Sequence, residues 1–342
     1  MKYHSAAPRI LLCTLFVVLA CSGIATAQPS IPAAPPRQEG EGPFDRLILR
    51  GPILIDGSGA PPRGPVDIVI EQNVITEVRS VGNPGIPIDP ERRPPADDGT
   101  KEIDLEGHYV LPGFVDLHGH IGGLEQGTPA EYVFKLWMGH GITTICDPST
   151  GNGLGWVLDQ KRKSAANQIT APRILAYPAF GQGYGGPIST PEAAREWVDQ
   201  VADQGADGVK FFGARPDIMA AAIEQAARRN MRTTCHHAQL NVAWLNVLDS
   251  ARMGLTSMQH WYGLPEALFE DRTVQNYPVD YNYNNEQDRF SQAGRLWKQA
   301  AAPFSDHWKA VMEELLQLDF TLSPTFVAYE TTRDFMRMAR AE

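Results

Sequence analysis

From residue 45 to residue 81 short β-branched runs, "RLILR", "ILID", "VDIVI" and "VITEV", alternate with Gly and Pro punctuation and show no helical period. That texture predicts a small antiparallel β unit, continued after a polar excursion by "KEIDLEGHYVLPG" and bounded at 45–112. Beyond Gly113 the texture changes. Apolar runs of strand length ("FVDLH", "ITTICD", "RILAYP", "DGVKFF", "RTTCHHA", "TSMQH", "DFTLSP") alternate with amphipathic stretches such as "TPEAAREWVDQVADQG" and "PDIMAAAIEQAARRN". Strand and helix in alternation predict parallel βαβ units, and seven such runs point to an α/β fold of the (β/α)8 TIM-barrel type over 113–342.

The ends of the chain read differently. Lys2 and Arg9, then the apolar run "ILLCTLFVVLACSGIA" and the small residues "ATA" before Gln28, predict a signal peptide at 1–27 and export to the periplasm or beyond. Cys21 in "VLAC" offers an alternative, a lipoprotein anchor that would tie the chain to a membrane. Residues 28–44, "QPSIPAAPPRQEGEGPF", predict a disordered linker. The formal net charge is −10, which speaks against nucleic acid or an anionic membrane surface as partner. Cys146 and Cys235 each fall inside a run read as a buried strand, and isolated thiols are expected there.

Candidate chemistry gathers where the strands end. In "VLPGFVDLHGHIGG", His118 and His120 are two apart, so a strand puts both imidazoles on one face, with Gly119 opposite. Paired imidazoles at a strand terminus suit a metal ion. Lys210 interrupts the apolar strand "DGVKFF", either snorkelling to the rim or serving as a buried amine. His236 and His237 close the next strand, and only one of them can face a barrel lumen; His260 closes the one after. In such barrels the C-terminal strand ends form the active site.

"LILRGPILIDGSGAPP", "LPGFVDLHGH", "GITTICDP", "GADGVK", "HA" and "MQHWYG", in this order, resemble the amidohydrolase superfamily, in particular its exported imidazolonepropionase- or prolidase-like members. The resemblance implies a metal-dependent hydrolase of C–N bonds (an amide, a cyclic amide or a dipeptide) with a β-sandwich beside the barrel. It implies His118, His120 and His260 as metal ligands, Lys210 as a carbamylated lysine bridging two divalent ions, and His237 rather than His236 as the strand-five ligand. Two zinc ions are expected from the donor set. The implied chemistry is a metal-activated hydroxide attacking a carbonyl.

One part of that pattern is missing. Members of this type carry a strand-eight aspartate that takes the proton of the attacking water, and no eighth strand follows "DFTLSP". A complete barrel takes about 250 residues. The sequence therefore reads as a barrel lacking its last strand, hence a fragment or a truncated, inactive metal-binding homologue, with no catalytic carboxylate identified. Residues 263–318 read as an insertion rich in aromatic residues; Tyr262, Tyr281 and Trp297 are candidates for a substrate lid, or for packing against the barrel.

Overall fold

The computed structural model describes residues 31–122, 128–242, 244–272 and 274–333; the signal peptide and Cys21 lie outside them. Six short strands open the fold: β1 (Arg46–Arg50), β2 (Ile53–Leu54), β3 (Val66–Glu71), β4 (Val74–Ser80), β5 (Lys101–Asp104) and β6 (Tyr109–Val110). They form a four-stranded sheet in the order β4-β3-β1-β5 and a two-stranded ladder β2-β6. The β1–β3 and β3–β4 pairs are antiparallel, whereas β1–β5 and β2–β6 are parallel, so the unit is mixed rather than antiparallel throughout. The connections before β5 and β6 return those strands in the direction of the partners they join. Leu54, Val66 and Ile68 form a small core of their own.

Under that sheet lies a buried ionic network. Arg50 donates from Nη1 to Asp67 Oδ2 at 2.7 Å and to the Pro94 carbonyl at 2.9 Å, and from Nε to Glu102 Oε2 at 2.6 Å. Asp67, fully buried, also accepts from the Gly51 backbone N–H. Each charge is paired and hydrogen-bonded, which is what makes a buried charge tolerable.

The larger part alternates strand and helix: β7 (Phe114–Asp116), α1 (Ala130–Gly139), β8 (Ile142–Ser149), α2 (Leu154–Ala165), β9 (Arg173–Pro178), α3 (Pro191–Gln204), β10 (Gly208–Phe211), α4 (Pro216–Arg228) and β11 (Arg232–Cys235). It continues with α5 (Val247–Arg252), β12 (Ser257–Gln259), α6 (Leu264–Ala267), α7 (Glu286–Arg295), α8 (Asp306–Gln317), β13 (Thr321–Ser323) and α9 (Phe326–Arg333). The helices face the sheet with apolar positions three and four apart; in α3 these are Ala194, Trp197, Val198 and Val201, with Thr190 capping the first turn. Of the strands they cover, β10 is buried throughout, Lys210 included, while β9 alternates.

All strand pairs in this part are parallel, in sheets β7-β8-β9 and β10-β11-β12-β13 that a single bridge, Ala179 to Lys210, connects. The wall curls, because Gln259 at the end of β12 donates to the Leu117 carbonyl just beyond β7. A closed barrel is not what the described strands form. Between β7 and β13 lies an open slot of about 490 Å³, edged by Phe114, Val115, Leu117 and Leu322. Among the described residues no helix is long and apolar enough to cross a membrane.

Residues 31–44 differ from the expected linker. They have no regular structure, yet Ile31 and Ala34 are buried in the main core. A proline-rich extended strand leaves its N–H groups unpaired internally. Here they find side chains on the barrel wall: Ile31 N–H donates to Asn152 Oδ1 at 3.2 Å, Ala34 N–H to Gln160 Oε1 at 3.0 Å.

Replacing Asp67 by alanine strands the Arg50 guanidinium with one carboxylate fewer, and the resulting loss is about 3 kcal/mol. Chemical denaturation of D67A should show that loss, while a change below about 1 kcal/mol would remove the network from the account of this unit's stability.

Candidate metal-binding site

β7 stops at Asp116, whose Oδ1 accepts from the His118 backbone N–H at 2.9 Å and turns the chain. Alternation then continues for one more step. A side chain on Gly119 would sit 2.8 Å from Trp137 of α1, so this residue faces the helical layer and only glycine fits. His118 and His120 accordingly point to the other side, and their Nε2 atoms are 3.1 Å apart.

The remaining nitrogens decide what that separation means. His118 Nδ1 lies 2.6 Å from Gln259 Oε1, and Gln259 spends its amide N–H on the Leu117 carbonyl, so the oxygen is the acceptor and Nδ1 carries the proton. His120 Nδ1 faces Asp147 Oδ1 at 3.5 Å, an approach longer than a hydrogen bond. His118 Nε2 therefore presents its lone pair toward His120 Nε2. Burial pushes the His118 imidazole down to about 3, with Lys210 and His120 adding to the effect, so a shared proton is not favoured there near neutral pH.

The other candidates surround this pair. Lys210 on β10 is 1% exposed, and burial pushes its ammonium down to about 7. The His260 ring is 4.8 Å from that of His118, and its Nδ1 is 2.8 Å from Thr325 Oγ1. His260 has a positive φ of 63°, an uncommon conformation for a non-glycine residue, fixed here by its backbone N–H bonding to the Ser323 carbonyl. Burial pushes this imidazole down to about 2.

At strand five the structure sets His236, and not His237, beside the other candidates. Parallel pairing aligns Lys210 with Thr234, so Thr234 and, two residues on, His236 share the side on which Lys210 lies. The His236 ring is 4.8 Å from that of His260. His237 points the other way: its Nε2 is 2.7 Å from Ser250 Oγ on α5, and its ring packs on Gly263.

Two residues that the sequence reading left unassigned belong here. Asp147, at the end of β8, is 1% exposed, and neither carboxylate oxygen has a hydrogen-bond partner beyond its approach to His120. Burial pushes its carboxyl up. The signal was a carboxylate in the apolar run "TTICDP", of the same kind as Lys210 in its strand. Gln259, the other, orients His118.

Of the three lid candidates, only Tyr262 touches the cluster, and it does so as packing. Its ring centre is 5.0 Å from that of His236 and it is 1% exposed. Tyr281 stacks on Tyr277 at 4.3 Å and Trp297 lies 5.7 Å from Trp261, both within the 263–318 region and its border.

Does this donor set fit a metal ion? For metal–nitrogen bonds of about 2.0–2.1 Å, two tetrahedral donors stand about 3.3 Å apart, close to the observed Nε2 separation. The His118 and His120 pair fits, with Gln259 bonded to His118 Nδ1 and Asp147 beside His120 Nδ1, where outer partners of ligating histidines stand. Among the described residues no group of three or more His, Cys, Asp or Glu side chains is arranged as a complete ligand set. His236 and His260 are neighbours of the pair rather than members of a closed set.

No family model matches the chain. It is 31% identical over 178 residues to a dihydroorotase of Anoxybacillus flavithermus, a match covering 47% of this chain and 37% of that protein. It is 36% identical over 166 residues to an adenine deaminase of Bacillus velezensis, covering 45% of this chain and 28% of the relative. The matched part thus spans well under half the length of these curated relatives. A prolidase crystallised with N-methylphosphonate-L-proline superposes with a TM-score of 0.51 at 14% identity, over 81% of this chain and 77% of the prolidase, which is a likeness of fold. With a dihydroorotase and an adenine deaminase as partial sequence relatives, and the His-x-His pair standing at the end of the first strand of a parallel α/β wall, the chain is similar to members of the amidohydrolase superfamily.

Proposed function

We propose that this chain is a metal-dependent amidohydrolase that cleaves a C–N bond in a small neutral or peptide-like substrate, on a barrel-type wall exported from the cytoplasm. The observation that carries the reading is the pair of Nε2 atoms 3.1 Å apart at a strand end, a spacing that suits two donors to one cation. The named relatives support the bond type: a dihydroorotase, an adenine deaminase and, by fold, a prolidase.

His118 and His120 would hold the ion, zinc being the divalent metal best suited to imidazole donors at such spacing, with His236 and His260 completing a two-ion site. A divalent cation there supplies Lewis acidity, polarising a carbonyl and bringing the ionisation of water into the neutral range. Lys210, buried beside the histidines, would serve as an anionic ligand once carbamylated. Its amine would attack carbon dioxide, forming an N–C bond and releasing a proton to solvent, and the resulting carbamate would replace a buried cation by a ligand oxygen. Gln259 keeps the His118 Nδ1 proton in place. Asp147 stands beside His120 Nδ1 and balances part of the ion's charge.

Two measurements test this. Zinc affinity of the purified full chain, followed by competition with a chelating dye, should fall about 10–100-fold in Q259L, because the outer partner of His118 is lost. Unchanged affinity would mean that His118 is not a ligand, and zinc bound without cleavage of any amide in a substrate panel would leave a metal-binding protein in place of an enzyme.

His236 and His237 separate cleanly. H236A should lose zinc affinity while melting near wild type. H237A should keep its zinc but lose about 2 kcal/mol of stability, through the Ser250 bond and the packing on Gly263. The opposite pattern would restore His237 as the ligand.

A further inference from the structure

Next to the histidine cluster, on the same rim, lies a groove that the proposed chemistry does not use. The loops after β9 and β10 enclose about 650 Å³, with Phe180 and Ile188 from the first, Gly213 and Arg215 from the second, Ile218 at the start of α4, and Trp244 across from them in the segment after β11. The C-terminal rim of a parallel barrel wall is where such enzymes bind substrate.

Its chemistry is apolar and uncharged. Arg215 is the one charged side chain in the lining, and it is neutralised locally, with Nε bonded to Asp217 Oδ1 at 3.0 Å and Nη2 to Oδ2 at 2.5 Å. Trp244, in the lining, is 58% exposed, and Phe212, next in the chain to Gly213 of the lining, is 44% exposed. Large apolar side chains open to solvent around a concave site are the lining a ligand covers.

The groove is continuous with the cluster. The Phe212 ring lies 5.4 Å from that of His236 and 5.6 Å from Lys210 Nζ, and the next residue, Gly213, lines the groove. Gly213 also fixes its shape. It has a φ of +110°, and a side chain there would come within 2.7 Å of Asn241, so glycine alone lets the β10 and β11 loops close on each other. The Ala238 N–H bonds to the Phe212 carbonyl at the same junction.

We infer that this groove is the specificity site for an uncharged apolar substituent, aryl or branched alkyl, on an amide whose C–N bond lies at the histidine cluster. The inference rests on the hydrolase reading above and adds the substrate class to it. A carboxylate or ammonium at this position would find no counter-charge, since Arg215 is held by Asp217, and it would lose hydration against Ile188 and Trp244.

The test compares two amides that differ only in that substituent, N-benzylacetamide and N-methylacetamide, on the zinc-loaded full chain. The benzyl amide should be favoured in kcat/KM by at least about tenfold, as burial of an aromatic ring implies. In both W244A and I188D that ratio should collapse toward unity. A ratio unchanged in both variants, or an equal fall for both substrates, overturns the inference.

If neither amide is cleaved, the wider amide panel decides the hydrolase reading, and equilibrium dialysis with N-benzylacetamide decides the groove separately. Saturable binding that weakens at least about fivefold in I188D yet persists in H118A supports the groove, because that dependence tracks its apolar lining and not the cluster. Absence of saturable binding overturns it.

Discussion

Two imidazole Nε2 atoms held 3.1 Å apart are the constraint around which the rest of the site is arranged. Everything that produces the contact is local to one turn of chain. A short parallel strand ends in an aspartate that accepts from the His118 N–H, a glycine faces outward against Trp137, and two histidines face inward. What orients the rings comes from distant sequence: Gln259 from β12 bonds His118 Nδ1, and Asp147 from β8 approaches His120 Nδ1. The parallel wall exists, in functional terms, to bring those three segments together.

The same architecture explains which parts of the site were readable from the residues. A period of two is a local rule, so the shared face of His118 and His120 followed from their spacing alone. The choice between His236 and His237 did not, because parity along one strand has no absolute sign until a neighbour fixes it. Lys210 aligned with Thr234 supplies that sign, and it selects His236. Asp147 and Gln259 were visible as polar residues in apolar runs, but their roles depend on which strand lies across from which.

The fold shows a similar division. Alternating strand and helix gave the parallel α/β wall, and the seven strand runs are all present. The mixed pairing of β1 with β5 and of β2 with β6 depends on long connections, which carry no period. Proline and glycine dominate residues 28–44, which read as a linker. Within it Ile31 and Ala34 bond to acceptors more than a hundred residues away, Asn152 and Gln160, that no local pattern announces. Tyr262 likewise belongs to the floor of the site and not to a lid, since its place is set by the turn after β12 against His236 and His260.

The central claim concerns where two protons sit and what lies between two nitrogens. Nitrogen-15 NMR of the imidazoles in the full chain, recorded without metal and with added zinc, reports both directly. The account predicts Nδ1–H tautomers for His118 and His120, with both Nε2 resonances moving together to metal-bound positions as zinc is added. A proton found on either Nε2 and donated to the other ring, undisturbed by zinc, would contradict it.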